Sequence, residues 1–520
     1  MPFNTHLRSF SEGYHSNVGV QRLIAFTGCA VENRRSMPHG HTSSCTPEIL
    51  KANMSLTLNN FTQLENFGHS LRAPSYRFQP KCAEDIQEVF RLAKQHELTV
   101  TARGAGRSYN DAALNGGGIM LDLSAMNQIL EWDSATGLVR CEPGVTLEKV
   151  WQKVEPEGWW PPVVSGTMKT TLGGCLSANI HGKNNFKMGT IGEHVVEFTA
   201  LLPTGAEITC TPKKNADLFH AMISGLGMLG IFTSITMQMK RIESGLLKVH
   251  AWPVHDLHEH LSILLDRAPD HDYIVGWMDT MNGGKSLGRG QIHAANYVHG
   301  NEDPNPQKTM QLNNQILPPR IFGVFPKSSL YIFMRPFANN VGWWGVNVAK
   351  YMASLRTHTF YQSHAAFHFL LDYVPNWELS YGRGGLIQYQ SFLPKETAEA
   401  AWREMLNLSL KLGMPSYLGV TKRHRPDNFL LTHAVDGFSL ALDFKVTDRN
   451  RANLGLMLQE FDKMVIQAGG RFYFAKNSET SAEHARAFLG DETIEKFKKL
   501  KKRCDPNGVL ESDLYRRLFG

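Results

Sequence analysis

The chain has 520 residues and a formal net charge of +6, and 42% of its residues are hydrophobic while 20% are charged. This length exceeds what one hydrophobic core usually organises, so we expect two or more lobes with a cleft between them. Because the charge is small and no Lys/Arg run alternates with aromatic residues, we expect no nucleic acid as a partner. The densest basic run, "KFKKLKKR" at 496–503, is typical of a solvated helix face, with weak contact to an anionic membrane as the alternative.

The cysteines and the hydropathy pattern bear on location. Seven cysteines with no CxxC pair argue against structural zinc and a disulfide framework, and they favour a reducing compartment. No apolar run approaches the roughly 20 residues of a transmembrane helix. We therefore predict a protein that is cytoplasmic or peripheral at a membrane.

The first 53 residues differ from the rest of the chain. Residues 37–54 are polar, and the apolar piece "LIAFTGCAV" at 23–31 is short for the hydrophobic part of a secretory signal. We interpret 1–53 as a disordered tail or as a start assigned too early, with Met54 as the true beginning. A transit peptide is the remaining alternative.

A predicted helix and a glycine loop open the folded part. "CAEDIQEVFRLAKQHE" at 82–97 has apolar residues at helical spacing, with acidic residues in its first turn. The next stretch, "LTVTARGAGRSYNDAAL", runs from a short β-branched strand directly into a loop that contains Gly104 and Gly106. Consecutive backbone N–H groups in such a loop suit a pyrophosphate. "GGGIMLDLSAMNQI" at 116–129 is again typical of a strand followed by a turn.

A second glycine cluster lies in "SGTMKTTLGGCLSANIHGKNN" at 165–185. Gly173 and Gly174 begin a segment of small residues that allows a flat ligand to approach the backbone closely, and His181 and Lys183 stand near its end. The alternative is a tight helix packed against a sheet.

A third cluster, "GLGMLG" at 225–230, matches the GxGxxG dinucleotide pattern. However, a predicted helix precedes it and an alternating strand follows it, which reverses the order that a nicotinamide-binding motif requires. The sequence therefore gives no support for a nicotinamide cofactor. Three glycine clusters in one lobe favour a single extended cofactor that lies across all of them.

The stretch "HDLHEH" at 255–260 raises the question of a metal site. His255, His258 and His260 do not share one helix face, and no cysteine is near them in the sequence. We expect no metal here.

Taken together, "RGAGRSYND", "SGTMKTTLGGCLSANIHGKN" and "GLGMLGIFTSITM" resemble the FAD-binding domain of the vanillyl-alcohol oxidase and p-cresol methylhydroxylase flavoprotein family. The resemblance extends to "GGLIQYQSFLP" at 384–394, "GGRFYFAKNSETSAE" at 469–483 and "CDPNGVLESDLYRRL" at 504–518. It covers the chain from about residue 70 to the C-terminus and is vaguer between roughly 245 and 360.

The resemblance implies an FAD cofactor and a set of residues around it. Many relatives tether the flavin through a histidine at the position of Arg107, so we expect the FAD to be non-covalent and the guanidinium to lie near the phosphates. The implied cofactor-binding residues are Arg103, Gly104, Ala105, Gly106, Arg107, Ser108, Tyr109, Ser165, Gly166, Thr167, Thr171, Gly173, Gly174, Ser177, His181, Gly182, Asn184, Ile231, Tyr473 and Ala475.

The resemblance also implies the chemistry. Oxidation of a sugar carbinol needs hydride loss from carbon and proton loss from the hydroxyl, and we predict Lys476, Tyr109 and His181 as the catalytic residues. A lysine accepts a proton only if burial or a cationic neighbour lowers its pKa, so we favour an orienting and charge-stabilising role for Lys476. His181 serves equally well as a residue packed against the flavin.

Four residues are predicted to bind the substrate. Gln388 and Gln390 are two positions apart in a predicted strand and therefore face one side, although a solvated strand face explains them as well. Lys183 and Lys422 complete the set. Some related enzymes carry a cysteine in the strand that corresponds to "FSLALDF" at 438–444, where this chain has Ala441, so we expect no reaction with thiol-directed inhibitors there.

These observations predict an α+β fold with a two-lobed FAD-binding domain of the p-cresol methylhydroxylase type and an antiparallel-sheet substrate domain. The boundaries we expect are an N-terminal tail at 1–53, the FAD-binding domain at 54–244, the substrate domain at 245–470 and a return to the FAD-binding domain at 471–520. A mobile, partly apolar stretch at 317–337 is predicted to contact a membrane, with a buried loop as the alternative.

The resemblance implies FAD-dependent oxidation of a sugar secondary hydroxyl to a ketone, on a sugar linked to a polyprenyl phosphate. This step would be the first half of an epimerisation that a short-chain reductase completes. Alternatives within the family are an alditol or aldonolactone oxidase and a reductase of a sterol-type double bond. An FAD-fold protein that has lost catalysis is the alternative outside enzymes.

Overall fold

The computed structural model describes residues 55–321 and 325–520. The predictions for residues 1–53, and for Phe322 within the stretch 317–337, lie outside the described residues.

The described residues form 21 strands and 16 α-helices. The first eleven strands are β1 (Phe61–Glu65), β2 (Arg72–Phe78), β3 (Val100–Arg103), β4 (Ile119–Asp122), β5 (Ile129–Asp133), β6 (Leu138–Cys141), β7 (Trp159–Trp160), β8 (Val195–Leu201), β9 (Glu207–Cys210), β10 (Ile231–Gln238) and β11 (Lys240–Arg241). The remaining strands are β12 (Leu246–Val254), β13 (Tyr273–Met278), β14 (Gly290–Tyr297), β15 (Arg320–Ile321), β16 (Phe325–Pro326), β17 (His358–Ser363), β18 (Leu386–Pro394), β19 (Gly419–His424), β20 (Gly437–Lys445) and β21 (Arg471–Phe472).

The helices lie between and after these strands. They are α1 (Ala83–Gln95), α2 (Leu147–Val154), α3 (Leu172–Ser177), α4 (Asn185–Met188), α5 (Ala216–Met222), α6 (Leu257–Arg267), α7 (Pro306–Thr309), α8 (Leu312–Gln315), α9 (Leu330–Met334), α10 (Asn340–Ala353), α11 (His364–His368), α12 (Ala398–Lys411), α13 (Arg451–Gln467), α14 (Ala482–Leu489), α15 (Asp491–Cys504) and α16 (Asp513–Phe519).

Two sheets form the part of the chain before residue 240. A four-stranded sheet has the order β1-β2-β4-β3, in which β1 is antiparallel to β2 and the other pairs are parallel. The predicted first helix is confirmed as α1, because Ile86, Val89, Phe90 and Ala93 are buried and pack on this sheet. A five-stranded antiparallel sheet has the order β5-β6-β10-β8-β9.

The middle of the chain is built on an eight-stranded antiparallel sheet with the order β17-β12-β14-β13-β19-β20-β18-β21. Helices α6, α12 and α13 cover one face, where Leu440 and Leu442 of β20 pack in one apolar cluster with Trp402 and Phe461. Side chains alternate across a strand, so Ala441 and Asp443 face the opposite side. The predicted antiparallel-sheet domain and the α+β fold class are confirmed.

The C-terminal residues pack on the first part of the chain. Val100 of β3 donates its N–H to Val509 O over 2.7 Å, and Glu511 donates to Val100 O over 2.9 Å. Arg517 pairs with Asp111 over 2.6 Å. These contacts agree with a return of the chain after residue 470, while the boundaries themselves stay a prediction.

The order of elements around "GLGMLG" is as predicted, because α5 precedes it and β10 follows it. Among the described residues, no helix combines the length and the apolar character that crossing a bilayer requires.

Candidate active site

A cavity of about 290 Å³ lies between the three glycine clusters and the uncovered face of the eight-stranded sheet. Three predicted cofactor residues, Arg103, Gly182 and Asn184, are absent from its walls. The predicted residues that line it are Gly104, Ala105, Gly106, Arg107, Ser108, Tyr109, Ser165, Gly166, Thr167, Thr171, Gly173, Gly174, Ser177, His181, Lys183, Ile231, Gln388, Gln390, Lys422, Tyr473, Ala475 and Lys476.

The first glycine loop offers unoccupied hydrogen-bond donors. The backbone N–H groups of residues 105–108 donate to no other group among the described residues. Gly106 has a φ of +64°, which a residue with a Cβ rarely adopts. A Cβ on Gly104 would lie 2.0 Å from Thr171 Oγ1. The glycines therefore let the loop fold tightly while its N–H groups stay free for an anion.

Arg107 adds a charge to this loop. Its Nε is buried without a hydrogen-bond partner among the described residues, and its guanidinium carbon lies 4.8 Å from the ring centroid of Phe67. The guanidinium thus packs on Phe67 and brings its positive charge to the cavity wall, while Nε itself is enclosed by protein atoms.

The second glycine cluster forms helix α3, whose Gly173, Gly174 and Ser177 line the cavity, and the approach of a flat ligand to it stays a prediction. Thr171 caps the helix by accepting from Gly174 N, and a Cβ on Gly173 would lie 2.8 Å from Pro143 Cβ. The preceding loop is fixed by Asp372, which accepts from Thr167 Oγ1 over 2.8 Å and from Met168 N over 2.7 Å. Asp372 was not found from the sequence.

The three predicted residues outside the walls support the loops from behind. Arg103 donates to Ala113 O over 3.0 Å and to Glu65 O over 2.8 Å. Asn184 donates from Nδ2 to Pro162 O over 2.8 Å, and a Cβ on Gly182 would lie 2.5 Å from Asn184 Oδ1.

Lys476 lies in a turn just after β21 and reaches the cavity beside Tyr109. Its Nζ is 3.8 Å from the ring centroid of Tyr109. The turn is held in place because Tyr109 N donates to Ala475 O over 2.9 Å and Asn110 Nδ2 donates to Phe474 O over 2.6 Å. The glycine loop and the C-terminal turn therefore position one another.

An aspartate that the sequence analysis missed faces Lys476. Asp443 is buried on β20 and accepts a hydrogen bond from Gln388 Nε2 over 2.5 Å. Burial raises the pKa of Asp443 to about 6, against the hydrogen bond from Gln388 and the charge of Lys476. Asp443 is thus the carboxylate that interacts electrostatically with the Lys476 ammonium.

Burial also lowers the pKa values of two lysines of the cavity, Lys476 and Lys422. It lowers the pKa of Lys476 to about 7; the charge of Asp443 opposes this shift, and the charge of Lys422 adds to it. Burial alone lowers the pKa of Lys422 to about 8. Both amines therefore exchange protons near neutral pH, unlike ordinary lysines.

His181 lies in a chain of hydrogen bonds. Gln390 Nε2 donates to His181 Nε2 over 3.1 Å, and His181 Nδ1 and His433 Nε2 are 3.1 Å apart. Burial, followed by the charge of Lys422, lowers the pKa of His181 well below its usual value. His181 is thus a neutral imidazole, and its Nδ1–H donates to His433. His433 lies in a loop and was not found from the sequence.

Lys183 has a different environment from the other two lysines. Its Nζ donates to the Phe367 carbonyl and lies 4.3 Å from the Phe367 ring centroid. Burial lowers its pKa well below the usual value, and Lys422 adds to that shift.

The histidines of "HDLHEH" turn to separate partners. His255 pairs with Glu259, His258 pairs with Glu399, and His260 is buried against Thr421 Oγ1.

Comparison with known proteins finds similarity for the glycine-loop part of the chain and, with one relative, for most of its length. Residues 74–211 match a family model described as an FAD binding domain. Over 436 residues, the chain is 31% identical to decaprenylphosphoryl-beta-D-ribose oxidase of Mycolicibacterium smegmatis, and this match covers 83% of the chain and 92% of that protein. Over 165 residues, it is 30% identical both to the putative D-arabinono-1,4-lactone oxidase of Neurospora crassa and to the L-gulonolactone oxidase of Bos taurus. These two matches cover 32% of the chain, and 29% and 37% of the respective relatives.

Proposed function

Because the chain belongs to the family of FAD-linked oxidoreductases that includes decaprenylphosphoryl-beta-D-ribose oxidase, we propose that it oxidises a secondary hydroxyl of a sugar to a ketone. The chain is an FAD-dependent oxidoreductase. We propose further that the sugar is linked to a polyprenyl phosphate, since the name of the mycobacterial relative states such a substrate for that protein. A short-chain reductase would then reduce the ketone and complete an epimerisation.

The residues of the cavity fit FAD. A pyrophosphate needs several N–H donors and a positive charge, and the free N–H groups of residues 105–108 together with the Arg107 guanidinium supply them. A flat ring system needs a wall of small residues, and Gly173, Gly174 and Ser177 supply one. We assign the cofactor to this side of the cavity, with Arg103, Gly182 and Asn184 as supporting residues.

The opposite wall suits the sugar. Gln388 and Gln390 of β18 and Lys422 of β19 line this wall, and each glutamine keeps a second amide N–H beyond its bond to Asp443 or His181. Lys183 closes the same wall, although its amine is already held by the Phe367 carbonyl. We assign the hydroxyl contacts to the two glutamines and Lys422.

We assign to Lys476 the role of the base that accepts the proton of the sugar hydroxyl. When bound, FAD supplies the acceptor for the two electrons and the hydrogen that leave the carbinol carbon. Because burial lowers the pKa of Lys476 to about 7, a neutral amine is available at neutral pH. Its Nζ takes the hydroxyl proton as the O–H bond breaks and the C=O bond forms. Asp443 stabilises the resulting ammonium, so we now prefer the proton-accepting role for Lys476.

One observation carries this proposal. Predicted cofactor residues from the glycine clusters and predicted substrate residues from β18, β19 and the 473–477 turn line a single cavity, with Lys476 between them. The meeting of Lys476, Tyr109 and Asp443 at that junction favours an active enzyme over a fold that has lost catalysis.

The test is anaerobic flavin reduction by the purified FAD-loaded protein. We expect a pentose linked to a polyprenyl phosphate to bleach the flavin at least tenfold faster than the same free pentose. Absence of bleaching by any lipid-linked sugar would overturn the substrate assignment.

A second candidate is oxidation of an aldonolactone, which the similarity to two lactone oxidases favours. That similarity covers only 32% of the chain, whereas the match to the mycobacterial relative covers 83%. Faster bleaching by a free lactone than by the lipid-linked sugar would establish this candidate instead.

A further inference from the structure

Helix α10 exposes a row of apolar side chains that an ordinary surface helix would bury. Val341, Trp344 and Met352 are 78%, 49% and 62% exposed, and they follow one another at helical spacing along the outer side. The inner side holds Asn347 and Tyr351, which are 2% and 8% exposed. A surface helix normally buries its apolar stripe, whereas the described residues leave the outer side of α10 uncovered.

The elements around α10 extend this apolar surface. Phe325 of β16, Ile332 and Phe333 of α9, and Phe337 just before α10 are also exposed. Scattered exposed hydrophobic residues are ordinary, but these belong to consecutive elements of one segment.

The charge of this segment is one-sided. Between Pro304 and Leu371 the chain contains no Asp or Glu, and it contains six Lys or Arg residues. Arg320, Arg335 and Arg356 are exposed, and none forms an ion pair with a carboxylate of the described residues. The segment that carries the exposed apolar residues therefore also carries exposed arginines without a carboxylate partner among the described residues.

We propose that the outer side of α10, together with Phe333 and Phe337, docks on an anionic lipid bilayer. Apolar and aromatic side chains together with arginines are the composition of interfacial helices, in which the rings enter the acyl boundary and the cations contact headgroups. A second copy of this chain fits less well, because it would bring the same exposed arginines against themselves. The bilayer is thus the occupant that satisfies both the apolar area and the charge.

The proposed surface is joined to the cavity by packed aromatic rings. On the inner side of α10, Trp343 stacks on Tyr417 with ring centroids 5.7 Å apart, and Tyr417 belongs to the same apolar cluster as Tyr109. Ile316 and Leu317 line a second cavity of about 310 Å³ that shares Phe67 with the first. The purpose of the docking, access to a lipid-linked sugar, rests on the proposed function, whereas the docking itself does not.

The experiment measures binding to vesicles in the absence of any sugar. The full-length FAD-loaded protein is sedimented with vesicles of phosphatidylcholine and phosphatidylglycerol in equal amounts, and with vesicles of phosphatidylcholine alone. We expect binding to the anionic vesicles only, and a loss of at least about tenfold in affinity for the double variant Val341→Ser, Trp344→Ser. A matched control, Leu265→Ser with Leu456→Ser, changes two exposed leucines, on α6 and α13, and should bind like the wild type.

Two further readouts keep the test decisive. Flavin content and the rate of flavin reduction by a detergent-solubilised substrate should be unchanged in the α10 variant, which shows that it is folded. Arg335→Glu should weaken vesicle binding and reduce its dependence on salt. Absence of binding to anionic vesicles, or equal binding by both double variants, would overturn the docking proposal and leave the proposed oxidation intact. A dimer that the α10 variant converts to a monomer, without vesicle binding, would overturn it in favour of a second copy.

Discussion

The rate of flavin reduction is predicted to rise with pH through neutrality, and Asp443→Asn is predicted to move this rise to lower pH. Lys476 accepts the hydroxyl proton only as a neutral amine, so its deprotonated fraction sets the rate. The charge of Asp443 favours the ammonium form of Lys476, and removing that charge lowers the lysine pKa. Asparagine keeps an oxygen that accepts the hydrogen bond from Gln388, so the substitution removes charge while preserving that contact.

The magnitude follows from the pKa of Lys476. Burial lowers it from 10.5 to about 7. At pH 7 roughly half of the amines are then neutral, against roughly 0.03% for an ordinary lysine. Between pH 7 and pH 5 the wild-type rate should fall about fifty-fold. Asp443 takes up a proton with a pKa of about 6, within the same pH range. The fall in rate below pH 7 therefore reports the titration of Lys476 and Asp443 together.

The assay is stopped-flow bleaching of the flavin without oxygen, at saturating substrate and over pH 5 to 9. A control variant, Asp462→Asn, changes another buried aspartate, which is not part of the cavity wall. Asp462 accepts a hydrogen bond of 2.9 Å from Tyr389 OH. Its pH limb should coincide with that of the wild type. Lys476→Ala should lose the limb and reduce the plateau rate by about a hundredfold or more. A flat wild-type profile, or a limb that moves to higher pH in Asp443→Asn, would refute the base role of Lys476.

Further predictions concern the cofactor loop and the cavity wall. Acid precipitation should release all flavin into the supernatant, because Arg107 occupies the position where relatives carry a tethering histidine; flavin fluorescence on the denatured chain would contradict this. Gly104→Ala should lower FAD occupancy, since the new Cβ would lie 2.0 Å from Thr171 Oγ1, and Thr171→Ala should partly restore it, as the flavin content of each purified variant will show. A thiol-directed electrophile should spare the wild type, because burial raises the pKa of the cavity cysteine Cys175 to about 12, and should inactivate Ala441→Cys; equal loss of activity in both would contradict the assignment.

The glycine loop beside the cavity could be predicted from the sequence because glycine carries its own structural requirement. Gly106 needs a positive φ, and Gly104 has no space for a Cβ, so both could be recognised as positions of close approach. The glycine motif alone does not show which neighbouring residues line the cavity and which support the loop from behind. Arg103 stands directly before Gly104 in the sequence, yet its guanidinium binds two carbonyls behind the loop.

On the side of the eight-stranded sheet, the sequence predicts neighbouring cavity residues only where one strand shows a two-residue period. Gln388 and Gln390 share a face of β18 by the two-residue period, and both reach the cavity. The same period applied to β20 places Asp443 on the face of Ala441, so a signal for Asp443 was present. It was missed because the apolar neighbours are typical of a core strand, and because the partner Lys476 follows much later in the chain. His433 had no such signal, since only the tertiary fold brings its loop to His181.

Helix α10 shows why the exposed face of a helix is not always predictable from the sequence. Apolar residues occur on nearly every side of residues 340–353, so periodicity alone does not say which side is covered. The fold decides it, because the inner side meets polar and aromatic side chains, among them Trp277, whose ring centroid lies 4.1 Å from Lys350 Nζ. Burial lowers the pKa of that amine to about 7. The inner side of α10 therefore holds a buried amine against an aromatic ring, while the exposed apolar residues of the proposed docking surface stand on the outer side.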